Sequence, residues 1–259
     1  YQTAYTNEIA DAKKEWDAIV DEYYSTELEG GLNQTLALGI INEFMSEGDI
    51  ALGSAGSLPG DMQRLFRPNG VRTYHMEYGY SNMGYEVNGA LGAKLAKPEA
   101  EVYTFCGDGS FLMGHSELYT AIQEGLKINI CLFDNLGWGC IENLQNNQGT
   151  DTFGTVFRAR NPKTGMLDGD EIAVDFAKIA EGYGAKAYSI RTSAELKSAL
   201  EDAKKQDRPV LFDIKVLPKT MTPGFESWWR VGVAEVSKSK RVAEAYDDMQ
   251  KHIVQTFDY

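Results

Sequence analysis

The sequence is short of cysteine. Cys106, Cys131 and Cys140 are an odd set without paired spacing, so no disulfide framework can be drawn and a reducing compartment, the cytoplasm, is expected. Cys106 and Cys131 fall in apolar runs and read as small core residues. No uninterrupted apolar run approaches the length of a membrane span and no signal-peptide pattern opens the chain, so no membrane partner is expected. Positive charge is scarce: 25 Lys and Arg stand against 38 Asp and Glu, for a formal net charge of −13 and a pI of about 4.7. Such a surface repels phosphate backbones and excludes nucleic acid as a general partner. Any anion site must then be built locally, from backbone amides or a metal. The sequence also has no internal repeat, no low-complexity tract and no initiator Met; its start at Tyr1 is expected to mark a piece of a longer chain.

What is present is enough for a full core: 259 residues, 43% of them hydrophobic. Residues 7–24 place Ile9, Trp16, Ile19, Val20 and Tyr23 at helical spacing before Gly30-Gly31 breaks the pattern. Residues 1–31 are therefore expected to form a linker helix, docked on the next domain or on one outside this sequence, and residues 32–259 the main domain with a C-terminal extension. A second amphipathic helix is expected over 33–46. Strands are then predicted at 50–52, 101–106, 128–133, 187–190 and 210–216, and helices at 85–96, 116–124, 173–183, 194–204 and 236–254. Strands alternating with helices indicate a three-layer α/β/α fold on a mostly parallel sheet, and the unbroken apolar run Ile130-Cys131-Leu132-Phe133 agrees with burial on both faces. Residues 146–169, rich in Gly, Asn, Asp and Thr, read as a long loop.

Ligands in such sheets bind outside the carboxyl ends of the strands, and the loops there are unusual. After the apolar strand ending in Phe105-Cys106 comes Gly107-Asp108-Gly109-Ser110, then a helix. The glycines permit close backbone approach, and free amides near a helix start suit a phosphate. An uncompensated carboxylate at Asp108 would repel that phosphate, unless a divalent cation bridged the two. Leu112 stands where a third glycine would complete a dinucleotide fingerprint, and no Gly-Lys-Ser or Gly-Lys-Thr exists for a Walker A loop. The next strand ends in Phe133-Asp134-Asn135-Leu136-Gly137-Trp138-Gly139, with 25 residues (110–134) between Gly109 and Asn135. That interval is one helix plus one strand, so adjacent parallel strands would set Asp108 beside Asn135. Carboxylate, amide oxygen and a backbone carbonyl would form half the shell of a hard cation, completed by diphosphate oxygens and water. Two ordinary turns are the bland alternative.

A Gly-Asp-Gly followed by Asn at this interval resembles the signature of thiamine diphosphate-dependent enzymes. Two further stretches resemble that family: 49–57, with Gly56 and Ser57 toward the diphosphate, and Ser81-Asn82-Met83-Gly84 leading into Gly89-Ala90-Leu91-Gly92-Ala93, the segment that holds the aminopyrimidine ring. The resemblance implies a thiamine diphosphate-binding (pyrophosphate) domain, with magnesium held by Asp108, the Asn135 side chain and the Gly137 carbonyl. Gly56, Ser57, Gly107, Gly109, Ser110, Trp138 and Gly139 are implied around the cofactor, with Met83 as an apolar wedge and the Ser81 carbonyl receiving the 4′-amino group. Asp134 in place of a commoner Asn, and Ser81-Asn82 in place of a glycine-rich pair, depart from the family pattern.

The stretches Ala55-Gly56-Ser57-Leu58-Pro59-Gly60-Asp61, Tyr74-His75-Met76-Glu77-Tyr78-Gly79-Tyr80 and 219–232, with Trp228-Trp229-Arg230, are similar to a narrower branch. That branch opens trihydroxycyclohexane-1,2-dione by C–C cleavage to 5-deoxyglucuronate in inositol breakdown. The resemblance implies that the cofactor supplies the carbon nucleophile, and that its activating glutamate lies in an N-terminal pyrimidine-binding domain of a partner subunit in a homo-oligomer, dimer or tetramer. Nothing before Gly31 resembles that domain, so no catalytic glutamate is assigned and the piece alone is expected to be inactive. His115, after the phosphate loop, and secondarily His75 are candidate acid–base groups; packing is the alternative for both, as it is for Trp228, Trp229 and Arg230 against closing over a sugar-like ring. Competing readings are a decarboxylase or acetohydroxyacid-type synthase with the same cofactor half, a non-catalytic assembly module of the same fold, and, least supported, a nicotinamide-dependent oxidoreductase.

Overall fold

The computed structural model describes residues 3, 5–225 and 227–256; Glu226, within one stretch of the narrower resemblance, and Tyr1 lie outside the described residues. Contacts divide the chain into two compact units, Tyr1–Asn135 with Asp175–Met221, and Leu136–Val174 with Thr222–Tyr259.

The first unit opens with α1 (Thr6–Ser25) and α2 (Gln34–Phe44), followed by β1 (Ile50–Gly53), α3 (Ser57–Leu65), β2 (Tyr74–Met76) and α4 (Tyr85–Ala96). It continues with β3 (Val102–Gly107), α5 (Asp108–Met113), α6 (Glu117–Gln123) and β4 (Asn129–Asp134). In the second unit lies α7 (Gly139–Asn147); the first resumes with α8 (Phe176–Tyr183), β5 (Lys186–Ile190), α9 (Ser193–Ala203) and β6 (Val210–Lys215). The last helix, α10 (Lys240–Ile253), belongs to the second unit.

The six strands form one sheet in the order β2-β1-β3-β4-β6-β5, every neighbour parallel. The central strand β4 is buried at every residue, as an apolar strand covered on both faces must be, whereas the edge strands β2 and β5 are only partly buried. One face packs Leu36, Leu38 and Ile41 of α2, Leu58 and Met62 of α3, and Leu196 and Leu200 of α9 against Phe105, Phe133 and Phe212. The other is covered by α4, α6 and α8, which contact one another in series, α4 and α8 also meeting the strands beneath. The expected three-layer α/β/α arrangement is thus the one observed. Local signals agree: Asn33 caps α2 by accepting the Leu36 N–H at 2.6 Å, Thr192 and Glu195 form a capping box on α9, and Gly184 closes α8 at φ 100°.

The helix expected over 7–24 is α1, and it docks inside the first unit: Tyr24 is buried against α2, donates its hydroxyl at 2.9 Å to Asn42 and to the Leu65 carbonyl, and Trp16 donates to the Arg64 carbonyl at 2.9 Å. Four elements were not foreseen. α3 is masked by Pro59 and Gly60, although Pro at the third helical position lies within the turn whose N–H groups have no intrahelical acceptor. β2 is only three residues long. α5 begins at Asp108 itself rather than after the glycine loop, and α7 occupies the polar run after Gly139.

In the second unit, Leu136 at φ 67° and Gly137 at φ 153° turn the chain so that Gly137 bridges Val156 and the Trp138 N–H donates to the Thr155 carbonyl at 2.8 Å. A Cβ on Gly137 would run into that same carbonyl, so only glycine fits. Trp138 packs edge-on to Phe157 at 5.1 Å, and Gly149 lies against the backbone of Arg241 in α10.

Candidate functional site

The strand order reverses direction between β1 and β3, since the chain runs outward from β1 to β2 and then returns to β3. Sheets of this kind bind ligands outside the carboxyl ends of the strands at that switch. The segments there are Gly53–Ser57, expected from the family resemblance, and Gly107–Ser110, expected from its glycines, with Asn135 at the end of the next strand.

β1 delivers Gly56 at φ 102°, and α3 starts at Ser57 with no side chain capping it, so its first-turn amides are donors suited to an anion. β3 and β4 are paired in register from Tyr103↔Asn129 to Gly107↔Phe133. Asp108 and Asn135 therefore leave neighbouring strands side by side. Asp108 is fully buried; its carboxylate accepts the Gly109 N–H at 2.6 Å and the Asn135 N–H at 3.1 Å. The Asn135 side-chain oxygen is buried and has no hydrogen-bond partner among the described residues. A buried amide oxygen without a donor is costly, and beside a carboxylate it has the chemistry of two ligands of a hard cation. The residues present therefore fit magnesium. Gly137, the expected third ligand, lies in the second unit.

The residue before Asn135 explains the departure at that position. Asp134 and Asp213 are both buried, and the Lys215 ammonium lies 2.6 Å from the first and 2.8 Å from the second. Burial pushes the Asp213 carboxyl above its ordinary range, while Lys215, held by two carboxylates, is raised despite its own burial. The aspartate expected to be anomalous is thus one of three members of an ion cluster that anchors the end of β4.

The segment implied to face the ring is held from both ends. Glu77 accepts the Tyr80 and Asn82 N–H groups at 3.1 and 2.9 Å, and those hydrogen bonds hold its carboxyl below the usual range. Ser81 sits at φ 53°, a left-handed conformation that a non-glycine residue adopts at some cost and that clusters at ligand sites. Met83 is half-buried. Gly84, at φ 86°, is the N-cap of α4, and its backbone touches that of Gly114 at the end of α5.

The Ser110 hydroxyl, expected at the cofactor, donates instead to the Glu86 carboxylate at 2.7 and 2.8 Å. Sequence reasoning missed Glu86, Glu77 and Lys215; only burial separates Glu86, at 1% exposure, from an ordinary first-turn glutamate. His115 stacks on Phe111 at 5.2 Å and pairs with the Tyr183 hydroxyl at 3.1 Å, toward α8, whereas His75 is exposed on the edge strand β2 with Nε2 3.1 Å from the Arg72 carbonyl. The two histidines are not brought together. In the second unit Trp228 stacks on His252 of α10 at 5.2 Å, while Trp229 stays 72% exposed.

A parallel α/β sheet with an acidic, glycine-bounded loop at its switch point and an amide oxygen beside it defines a diphosphate-binding domain, and comparison with known proteins gives the same class. The family described as thiamine pyrophosphate enzyme, C-terminal TPP binding domain, matches residues 54–214, and the chain belongs to it. It is 48% identical over 284 aligned positions to a 3D-(3,5/4)-trihydroxycyclohexane-1,2-dione hydrolase of Clostridium tetani, covering 100% of this chain and 44% of that one. With the hydrolase of the same name from Geobacillus thermodenitrificans the identity is 50%, over 98% of this chain and 43% of the relative. The chain therefore spans less than half the length of these relatives. A solved thiamine diphosphate-dependent 4-hydroxybenzoylformate decarboxylase from Rhodococcus jostii shares the fold, with a TM-score of 0.61 and 22% identity over 74% of this chain and 34% of that one. No helix among the described residues is long and apolar enough to cross a membrane.

Proposed function

We propose that this chain is the diphosphate- and magnesium-binding portion of a thiamine diphosphate-dependent hydrolase that opens trihydroxycyclohexane-1,2-dione by C–C cleavage in inositol breakdown. The observation that carries the reading is the partnerless Asn135 oxygen beside the buried Asp108, in a chain half identical to hydrolases of that name. Asp108 and Asn135 would hold magnesium, with the Gly137 carbonyl as a further ligand. The amides of Gly56 and Ser57 would line the diphosphate, with Gly107 and Gly109 at the end of β3 and Trp138 and Gly139 after β4. Met83 and the Ser81 carbonyl would meet the ring. Once bound, the cofactor supplies the carbon nucleophile that makes the C–C bond breakable.

The activating glutamate would come from the pyrimidine-binding domain of a partner subunit in a homo-oligomer. Exposed Leu112 and Met113 at the end of α5, with Tyr80 and Tyr85 at the ring turn, give that domain an apolar surface to cover. On this reading the chain binds cofactor weakly and turns over nothing alone.

Calorimetric titration with thiamine diphosphate should give heat only with magnesium. Asp108→Ala should abolish it. Asn135→Ala should weaken binding by at least the ~10–100-fold that changes one shell further out cause, without destabilising the cofactor-free fold, because the buried side-chain oxygen it removes has no partner there among the described residues. Magnesium-independent heat that survives in Asp108→Ala would refute the metal site. With the full-length protein, turnover of pyruvate but not of the cyclic diketone would replace the hydrolase by a decarboxylase or synthase.

A further inference from the structure

Glu86 is a buried carboxylate, 1% exposed, on the first turn of α4, and no cation among the described residues faces it. Burying such a group costs stability unless donors surround it. Here they come from three separate segments at the carboxyl edge of the sheet. The Ser110 hydroxyl, in α5 directly after β3, donates to both carboxylate oxygens at 2.8 and 2.7 Å. The Gly84 N–H, on the turn after β2, is shared between Glu86 at 3.0 Å and the Ser110 hydroxyl oxygen at 2.8 Å. The Ala55 N–H, on the loop after β1, points at the same carboxylate from 3.5 Å. Glu86, Ser110 and Gly84 therefore close a triangle. A serine hydroxyl has a single hydrogen, and this one is committed to Glu86 rather than to a phosphate. The turn at Gly84 also meets α5 independently, at its far end, where the Gly84 and Gly114 backbones touch, a contact that leaves no room for a side chain at 114.

We propose that Glu86 is a positioning residue that fixes the distance between the diphosphate loop and the Met83–Gly84 turn, so that the two ends of one extended ligand are held in register. This rests on the thiamine diphosphate reading of the site. Glu86 touches neither end of the ligand; it acts through Ser110 and Gly84. A clamp of this kind adds little to binding of the diphosphate alone and much to binding of a diphosphate joined to a ring.

The test uses the full chain with Glu86→Ala, Glu86→Gln and Ser110→Ala, and titrates each with thiamine diphosphate and with inorganic diphosphate, both with magnesium. In Glu86→Ala and Ser110→Ala the preference for thiamine diphosphate over inorganic diphosphate should fall roughly tenfold, as for other outer-shell partners. Glu86→Gln should retain most of the preference, because its amide can donate to Ser110 and accept from Gly84. A merely structural glutamate would lower both affinities together and leave their ratio at the wild-type value, which would overturn the proposal. Amide exchange without cofactor supplies a second readout. Residues 81–84 and 108–112 should both exchange faster in Glu86→Ala and return to wild-type rates in Glu86→Gln; a change confined to one segment refutes the clamp. Should wild type bind no thiamine diphosphate, the functional reading falls, while the exchange result still decides whether Glu86 ties the two loops.

Discussion

Glu77 and Glu86 bracket the same turn and are driven in opposite directions. Backbone N–H groups stabilise the Glu77 carboxylate and lower its pKa, whereas burial of Glu86 outweighs the hydrogen bonds from Ser110 and Gly84 and raises its own. A carboxyl raised on folding binds more protons in the folded than in the unfolded chain between the two pKa values. Its contribution is therefore most favourable below the unfolded value, near 4.5, and is lost as pH rises through the folded value. Cys106 on β3 senses the same charge, since its thiol is pushed well up first by burial and next by Glu86. Glu86→Gln removes the titration and keeps the shape. The stability of the variant relative to wild type, from urea denaturation at a series of pH values, should thus grow as pH rises from about 4 and level off above the folded pKa. Asp49 and Asp213, also raised by burial, cancel in that difference. A difference flat with pH would mean that the Glu86 carboxyl is as well solvated in the folded protein as in the unfolded one.

At the scale of elements, α4 and α5 meet through glycine. A Cβ at Gly114 would collide with the Gly84 carbonyl and come within 2.8 Å of the Gly84 Cα, whereas one at Gly92, in mid-α4, meets nothing within 4 Å. Gly114→Ala should cost about 1–3 kcal/mol, as overpacking does, and Gly92→Ala should add about 0.5–1 kcal/mol through helix propensity; thermal melts of the two variants check the contrast. These contacts also show what was legible in advance. The strands and long helices followed from apolar runs and 3.6-residue spacing, and Asp108 beside Asn135 followed from one helix plus one strand between them. The clamp could not be read, because a glutamate in the first turn of a helix is ordinary there, and only the arrival of Ser110 and Ala55 from elsewhere in the sequence makes it buried. The Lys215 cluster was hidden for the same reason: Asp134 and Lys215 are 81 positions apart and meet only because β4 pairs with β6. Short elements escaped too, since β2 and α7 offer too few periodic positions to stand out from their polar surroundings.

At the scale of the molecule, a family domain matched over residues 54–214 is carried by a chain whose contacts fall into two units, the second made of an excursion after β4 and the C-terminal segment. The three free cysteines are distributed between these units: Cys106 and Cys131 are buried in neighbouring central strands of the first, and Cys140 is half-buried in α7 of the second. Burial raises the pKa of all three thiols, so none is a ready nucleophile in the native state, Cys106 and Cys131 least of all. The chain thereby contains its own chronometer. A thiol-reactive dye, resolved by peptide mass, should modify Cys140 first, at a rate set by opening of the second unit. Cys106 and Cys131 should follow together, and only as fast as the sheet itself comes apart. Magnesium and thiamine diphosphate, if they bind where Asp108 and Asn135 lie, should slow the paired strand cysteines by mass action, so a binding event at the edge of the sheet could be timed by two sulfur atoms that never touch the ligand.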